Sequence, residues 1–332
     1  MFCLAIFLSF KITNEKLFYT PKGFPKPVYN FTNNKISKAK VELGRMLFYE
    51  TQLSRNNTIS CANCHLQYSS FTHVDHALSH GIDDRIGKRN SPVLVNLAWQ
   101  KSFMWDGAIN HLDMQALAPI SNTSEMDEKI ENVVSKLNQN NIYKKYCYKT
   151  FKDSNITGEL VLKSLSQFML TFISANSKYD SVMQELTEFT TKEKNGYNLF
   201  KQNCASCHTE PLFTNSEFEN NGLLVDLKNP DYGRMTLTKN RKDSLKFKVP
   251  TLRNIEFSYP YMHDGRFKKL SDVMNHYTNI TTQNGLYSQK LSMPIVLSSN
   301  EKVDIIAFML TLTDKNFMFN KRFNYPFKLL KK

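Results

Sequence analysis

Between Glu159 and Ile173 the residues Val161, Leu165, Phe168 and Phe172 recur at helical spacing, which predicts a helix with one apolar face. Lys38 to Glu50 is rich in helix formers and sets Leu43 four residues before Leu47; Lys192 to Asn203 has the same character. Near the end, Ser299 is the expected cap of a helix with Val303, Ile306 and Leu310 in line. Alternating apolar and polar runs are sparse. The pattern predicts a mostly α fold with long loops.

The first ten residues, MFCLAIFLSF, form an apolar run too short to span a bilayer and of the length of a secretion-signal core, without the usual preceding basic residues. Such a segment is expected to be an incomplete secretion signal or N-terminal membrane attachment. Pro21, Pro25 and Pro27 then predict an extended lead-in to about residue 31.

The rest of the chain is written twice. Gly44, Leu47 and Phe48 recur as Gly196, Leu199 and Phe200. Pro92, Leu94, Asn96, Met104, Asp106, Gly107 and Leu112 return, at one constant spacing, as Pro250, Leu252, Asn254, Met262, Asp264, Gly265 and Leu270. Chance does not hold one spacing over seven identities. An internal duplication is expected, with a first domain over 32–185 and a second over 186–332, after a 1–31 leader and linker.

A chain of 332 residues, 41% hydrophobic, can bury a core of that size and is not a disordered segment. Its formal net charge of +13 suits an acidic partner or membrane surface, or is a bias spread over the whole surface; no nucleic-acid partner is expected.

Of the six cysteines, Cys3 lies in the apolar leader and Cys147 stands alone. The others form two C-x-x-C-H pentads, Cys61-Cys64-His65 and Cys204-Cys207-His208, so no disulfide framework is present. Two thiols at this spacing add to the two vinyl groups of one haem, and the adjacent His ligates its iron. Zinc knuckles would bring their cysteine pairs close in sequence, and a dithiol oxidoreductase would need a βαβ context. Neither is found, so the pentads predict two cytochrome c-like haem domains with two covalently bound haem c groups. Attachment of that kind takes place outside the cytoplasm, in keeping with the leader.

The two halves differ where a second axial ligand would stand. The second half offers Met262, His263, Met274, His276 and Tyr277, whereas the repeat spacing pairs Tyr277 with Pro119, and proline cannot ligate iron. One open and one closed haem is the arrangement expected of a reaction site fed by a relay.

At the level of whole segments, LGRMLFYETQLSRNNTISCANCH, FMWDGAINHLDMQALAPISNTSEM, CASCH and KVPTLRNIEFSYPYMHDGRFKKLSDVMNHY resemble the bacterial dihaem cytochrome c peroxidase and MauG family over roughly residues 36–315. The resemblance implies reduction of hydrogen peroxide to water at the first haem (proximal ligand His65). Electrons would arrive through the second (His208 and Tyr277) from a small cytochrome or similar redox protein, in the periplasm, with a homodimer as one assembly. It implies that Trp105 lies between the haems and that Gln115 and Glu125 stand above the open iron. It further implies a calcium ion held by Asn90 and by backbone carbonyls at Ser258 and Pro260. Arg253 is read either as the bidentate partner of a haem propionate or as a surface arginine. Two departures stand out. Family members with a distal histidine carry it sixteen residues past His65, where this chain has Gly81 beside His80; His73, His76 and His80 otherwise read as loop residues. The relay ligand of the well-known peroxidases is methionine, so Met274 competes with Tyr277, which follows the MauG-type pattern. The alternatives are therefore a MauG-type oxidase acting on a partner protein and a non-catalytic dihaem electron carrier.

Overall fold

The computed structural model describes residues 16–280, 288–291 and 295–330, and the apolar run of the first ten residues lies outside them. Two helix pairs organise the chain. Lys38–Phe48 starts on Ser37, whose hydroxyl accepts from the Lys40 N–H, and buries Leu43, Met46, Leu47 and Phe48. It crosses Gly158–Met169, which contributes Val161, Leu165 and Phe168. Thr191–Asn203, with a capping box between Thr190 and Glu193, crosses Ser299–Leu310 in the same manner.

Each crossing explains a repeated glycine. A β-carbon at Gly44 would stand 1.9 Å from the Ser164 carbonyl oxygen, and one at Gly196 would stand 1.9 Å from that of Asp304. Only glycine lets the backbones approach so closely. The other repeated residues mark matching loops. Asn96 and Asn254 are both left-handed (φ 53° and 61°), as are Met104 and Met262 (φ 69° and 76°) and Gly107 and Gly265 (φ 75° and 67°). Each methionine sits inside a small loop closed by an antiparallel bridge, Phe103 to Ile109 and Tyr261 to Phe267. A positive φ at methionine is costly and marks a backbone held by its surroundings.

Sheet among the described residues is confined to Phe218–Glu219 paired with Phe247–Lys248. The larger core gathers around Phe48, Phe71, Phe168 and Phe172, and the smaller around Phe200, Phe213, Ile305 and Phe308.

Three features differ from expectation. The Ser299–Leu310 helix is capped by Ser298, and it buries Ile305, Phe308 and Met309 while Val303 and Leu310 are exposed. Apolar residues surround this helix, so periodicity alone does not select its inner face. The proline-rich lead-in is docked: Trp99 Nε1 donates to the Pro25 carbonyl at 2.8 Å, and Phe24, Tyr29 and Phe31 pack on the first core. The chain end crosses back, placing Phe317, Met318 and Phe323 in the first core, with Tyr49 donating to the Phe323 carbonyl at 2.8 Å. Conversely Tyr179 belongs to the second core, so each core draws on chain from both sides of residue 185.

Candidate haem centres and the central cavity

The first pentad forms a short helix, Cys61–Cys64, capped by Ser60 and Asn63. His65 follows, and its Nδ1 donates to the carbonyl of Phe71 at 2.7 Å. Phe71 is left-handed (φ 58°), within the tight turn that returns its carbonyl to the ring. The second pentad repeats the device: His208 Nδ1 faces the carbonyls of Phe213 and Pro250, each at 3.1 Å, and Phe213 has φ 54°. A carbonyl can only accept, so Nδ1 carries the proton in both rings and Nε2 keeps its lone pair for iron. Burial pushes both imidazoles down to about 4, which holds them neutral at ordinary pH.

The thiols fit haem better than zinc or disulfide exchange. Burial raises Cys61 and Cys204 to about 12 and Cys64 to about 11, the opposite of the low-pKa thiolate that metal binding or redox exchange exploits. No cluster of three or more His, Cys, Asp or Glu among the described residues is placed to hold a metal ion.

A cavity of about 240 Å³, walled mostly by apolar side chains, runs through the middle of the molecule. Its walls come in repeat-related pairs: Leu94 with Leu252, Phe103 with Tyr261 and Met104 with Met262. Cys204, Cys207, His208 and Gln115 line it, whereas Cys61, Cys64 and His65 do not. Space this large and apolar suits a flat apolar cofactor.

Trp105 stands on the same wall, where the halves meet. Its Nε1 donates to the Asn90 carbonyl at 2.8 Å, and its own carbonyl accepts from the Lys248 N–H at 2.7 Å. Its ring meets His263 edge-on at 6.5 Å, and His263 stacks on Phe247 at 3.7 Å. Arg89 braces this junction by pairing with Asp231 and Asp106, the residue after Trp105. Sequence reasoning did not find Arg89 or Lys248, because neither belongs to a motif with known chemistry.

Glu125 lies close enough to the first attachment site for its charge to act on both Cys61 and Cys64. Burial raises its carboxyl above the usual range, partly offset by Asn122, whose amide donates at 2.6 Å. Gln115, on the helix Leu112–Gln115, directs Nε2 toward Met104 Sδ at 3.9 Å, and no direct hydrogen bond joins it to Glu125. Gly81 packs on the Glu125 backbone, since a β-carbon there would meet the Ser124 and Glu125 carbonyl oxygens at 2.2 and 2.5 Å. His80 beside it is part-exposed and pairs through Nδ1 with Asp84.

On the second side, Met274 and Tyr277 both come from Leu270–Thr278 and both line the cavity with His208. Met274 is 5% exposed and belongs to the small core with Phe200 and Phe308. Burial pushes the Tyr277 hydroxyl up to about 12, with Cys204 and Cys207 adding to the rise and Asn221 opposing it. That sensitivity puts the phenol beside the second attachment site. His276 Nε2 is engaged with the Asn221 carbonyl at 3.0 Å. Pro119, the repeat counterpart of Tyr277, lies in Leu117–Ser121.

Arg253 requires a correction. It is fully buried, its two terminal nitrogens meet both Asp180 oxygens at 2.9 and 2.7 Å, and Nε donates to the Pro211 carbonyl at 2.8 Å. It is neither on the surface nor on the cavity wall, so its fork is committed to Asp180 instead of a propionate. Asn90, Ser258 and Pro260 do share that wall, and Asn90 Nδ2 donates to the Ala77 carbonyl at 3.0 Å.

Comparison with known proteins agrees with this geometry. A family model described as di-haem cytochrome c peroxidase matches residues 38–188. The chain is 33% identical to cytochrome c551 peroxidase of Nitrosomonas europaea over 280 residues, covering 82% of this chain and 79% of that one. It is 29% identical to the methylamine utilization protein MauG of Methylophilus methylotrophus, over 92% and 90% of the two chains. Among solved structures, a MauG-like protein associated with microbial copper homeostasis superposes with a TM-score of 0.84 at 28% identity, covering 93% of this chain and 98% of that one. Carrying both haem c attachment sites and matched along most of its length, the chain belongs to the dihaem cytochrome c peroxidase and MauG family.

Proposed function

We propose that this protein reduces hydrogen peroxide to water at the haem attached through Cys61, Cys64 and His65, with electrons delivered one at a time through the haem of Cys204, Cys207 and His208. The observation that carries the reading is Glu125, a carboxyl raised by burial and placed beside the first attachment site. Haem iron bound at His65 supplies the site for peroxide and the electrons that split it. The chain's part is proton handling. A carboxylate with raised basicity takes the proton from the inner peroxide oxygen and returns it to the outer one, and the Gln115 amide orients the peroxide. Pro119, with no donor atom, leaves that face open. Trp105 stands between the two centres in the electron path.

Tyr277 favours a second reading. Tyr277 would hold the second haem together with His208, and an oxygen donor there would favour ferric iron, which suits a MauG-type oxidase that attacks a partner protein more than a carrier of electrons from a small cytochrome. In either case the two halves descend from one duplicated haem unit, Asn90 and the Ser258 and Pro260 carbonyls hold calcium, and the protein works outside the cytoplasm. The test is steady-state oxidation of a small reduced cytochrome by peroxide, comparing the matured wild type with Glu125→Gln. A loss of roughly 10²- to 10⁴-fold with both haems retained is expected; equal turnover would move proton transfer away from Glu125.

A further inference from the structure

Lys248 is a part-buried cation whose ammonium has no acidic partner among the described residues. Its Nζ donates to Gln100 Oε1 at 2.7 Å and to the Ser102 carbonyl at 2.9 Å, and it lies 5.9 Å from the centre of the Phe103 ring. No ion pair joins it to a carboxylate among the described residues, and burial alone pushes the ammonium down to about 8. An ammonium has three donors, and two have described partners. A charge removed from water in this way is retained only where something compensates it. Its surroundings are the central cavity, which Lys248, Gln100, Phe103 and Trp105 all line.

Its place in the repeat sharpens the point. Lys248 stands two residues before Pro250, as Asn90 stands two residues before Pro92. The backbones cross-pair: the Asn90 N–H donates to the His263 carbonyl and the Lys248 N–H to the Trp105 carbonyl, both at 2.7 Å. His263 and Trp105 are themselves repeat counterparts, each following its left-handed methionine. The junction is therefore two-fold in its backbone and unequal in its side chains, with an uncharged amide on one side and a fixed ammonium on the other.

We propose that Lys248 is the anchor for a haem propionate at this junction, supplying the charge that Arg253, committed to Asp180, does not. The inference rests on the two covalent haems and not on the reaction assigned to them. A fixed positive charge beside a haem favours the reduced state, because the added electron lowers the local charge. Lys248 thereby sets the reduction balance of the haem it holds, next to the Trp105 backbone.

The experiment compares matured wild type, Lys248→Met and Lys248→Arg, after haem content confirms both attachments. Potentials are measured by spectroelectrochemistry and propionate bending bands by resonance Raman. Lys248→Met is expected to shift one haem roughly tenfold toward the ferric form at a fixed poise, about 59 mV for a one-electron couple, and to move one propionate band. Lys248→Arg is expected to leave both near wild type. If Lys248→Met does not mature, Lys248→Gln, which removes the charge and keeps a polar tip, is read in the same way. Unchanged potentials and bands in the neutral variants, or equal changes in the neutral and arginine variants, would overturn the proposal.

Discussion

A β-carbon at Gly81 would stand 2.5 Å from the carbonyl oxygen of Glu125, so the missing side chain of one residue makes room for the backbone of the other. The neighbouring Ile82 N–H donates to that same carbonyl at 2.7 Å. Gly81→Ala should push this strand of backbone outward, with a stability loss of about 1–3 kcal/mol typical of overpacking. Thermal melting should register the loss. Peroxide turnover should fall further than the loss of folded protein explains, because Glu125 moves with its backbone.

Glu125 also sets a pH signature. Its folded carboxyl titrates above the ordinary 4.5 because burial disfavours the charged form. The folded state therefore holds the proton more tightly than the unfolded one, and the associated stability is present at low pH and lost as pH rises through the raised value. Unfolding of wild type and Glu125→Gln at several pH values should show the wild type losing ground over that window. Turnover by the wild type should have an acid limb above the usual carboxylate range, since the base works only when ionised; the variant should lack it.

The buried pair of Arg253 and Asp180 gives the opposite sign. Burial alone would raise Asp180, but the hydrogen bonds and charge of Arg253, with Ser177, bring its carboxyl below the usual range. Its contribution is present above the unfolded value of about 3.9 and is lost as pH falls through the lowered one. Arg253→Met should leave a buried carboxylate unpaired and cost about 3–5 kcal/mol. Denaturant unfolding measures this, and haem spectra of the folded fraction should stay close to wild type because Arg253 does not line the cavity.

Tyr277 and Met274 are separated by spectroscopy. Near-infrared charge-transfer and magnetic resonance spectra of Tyr277→Phe should change at the second haem, and those of Met274→Leu should not. A sulfur-to-iron band in wild type that disappears in Met274→Leu would give the ligand to methionine.

Much of this was legible in the sequence because it is local. The pentads need only adjacent residues, and Lys38–Phe48 and Thr191–Asn203 form within two residues of where their pattern placed them. The repeated asparagines, methionines and glycines were visible as identities, although their reason, a left-handed backbone at each, appears only in three dimensions. What stayed hidden depends on distant partners. Arg253 meets a carboxylate 73 residues away, and nothing near it announces the pair. Lys248 reads as one more cation in a basic chain until the cavity closes around it. The return of Phe317 and Phe323 to the first core belongs to no periodicity, because their helices and turns are only three or four residues long.

Peroxide reduction by electrons relayed from a small donor has a fixed electron count. The direct measurement is the number of reduced cytochrome molecules oxidised per peroxide added to a catalytic amount of the matured dihaem protein. Two electrons convert one peroxide to two waters, so two one-electron donors should be consumed for each peroxide. Peroxide left intact beside a fully reduced donor, with both haems attached, would rule out this function.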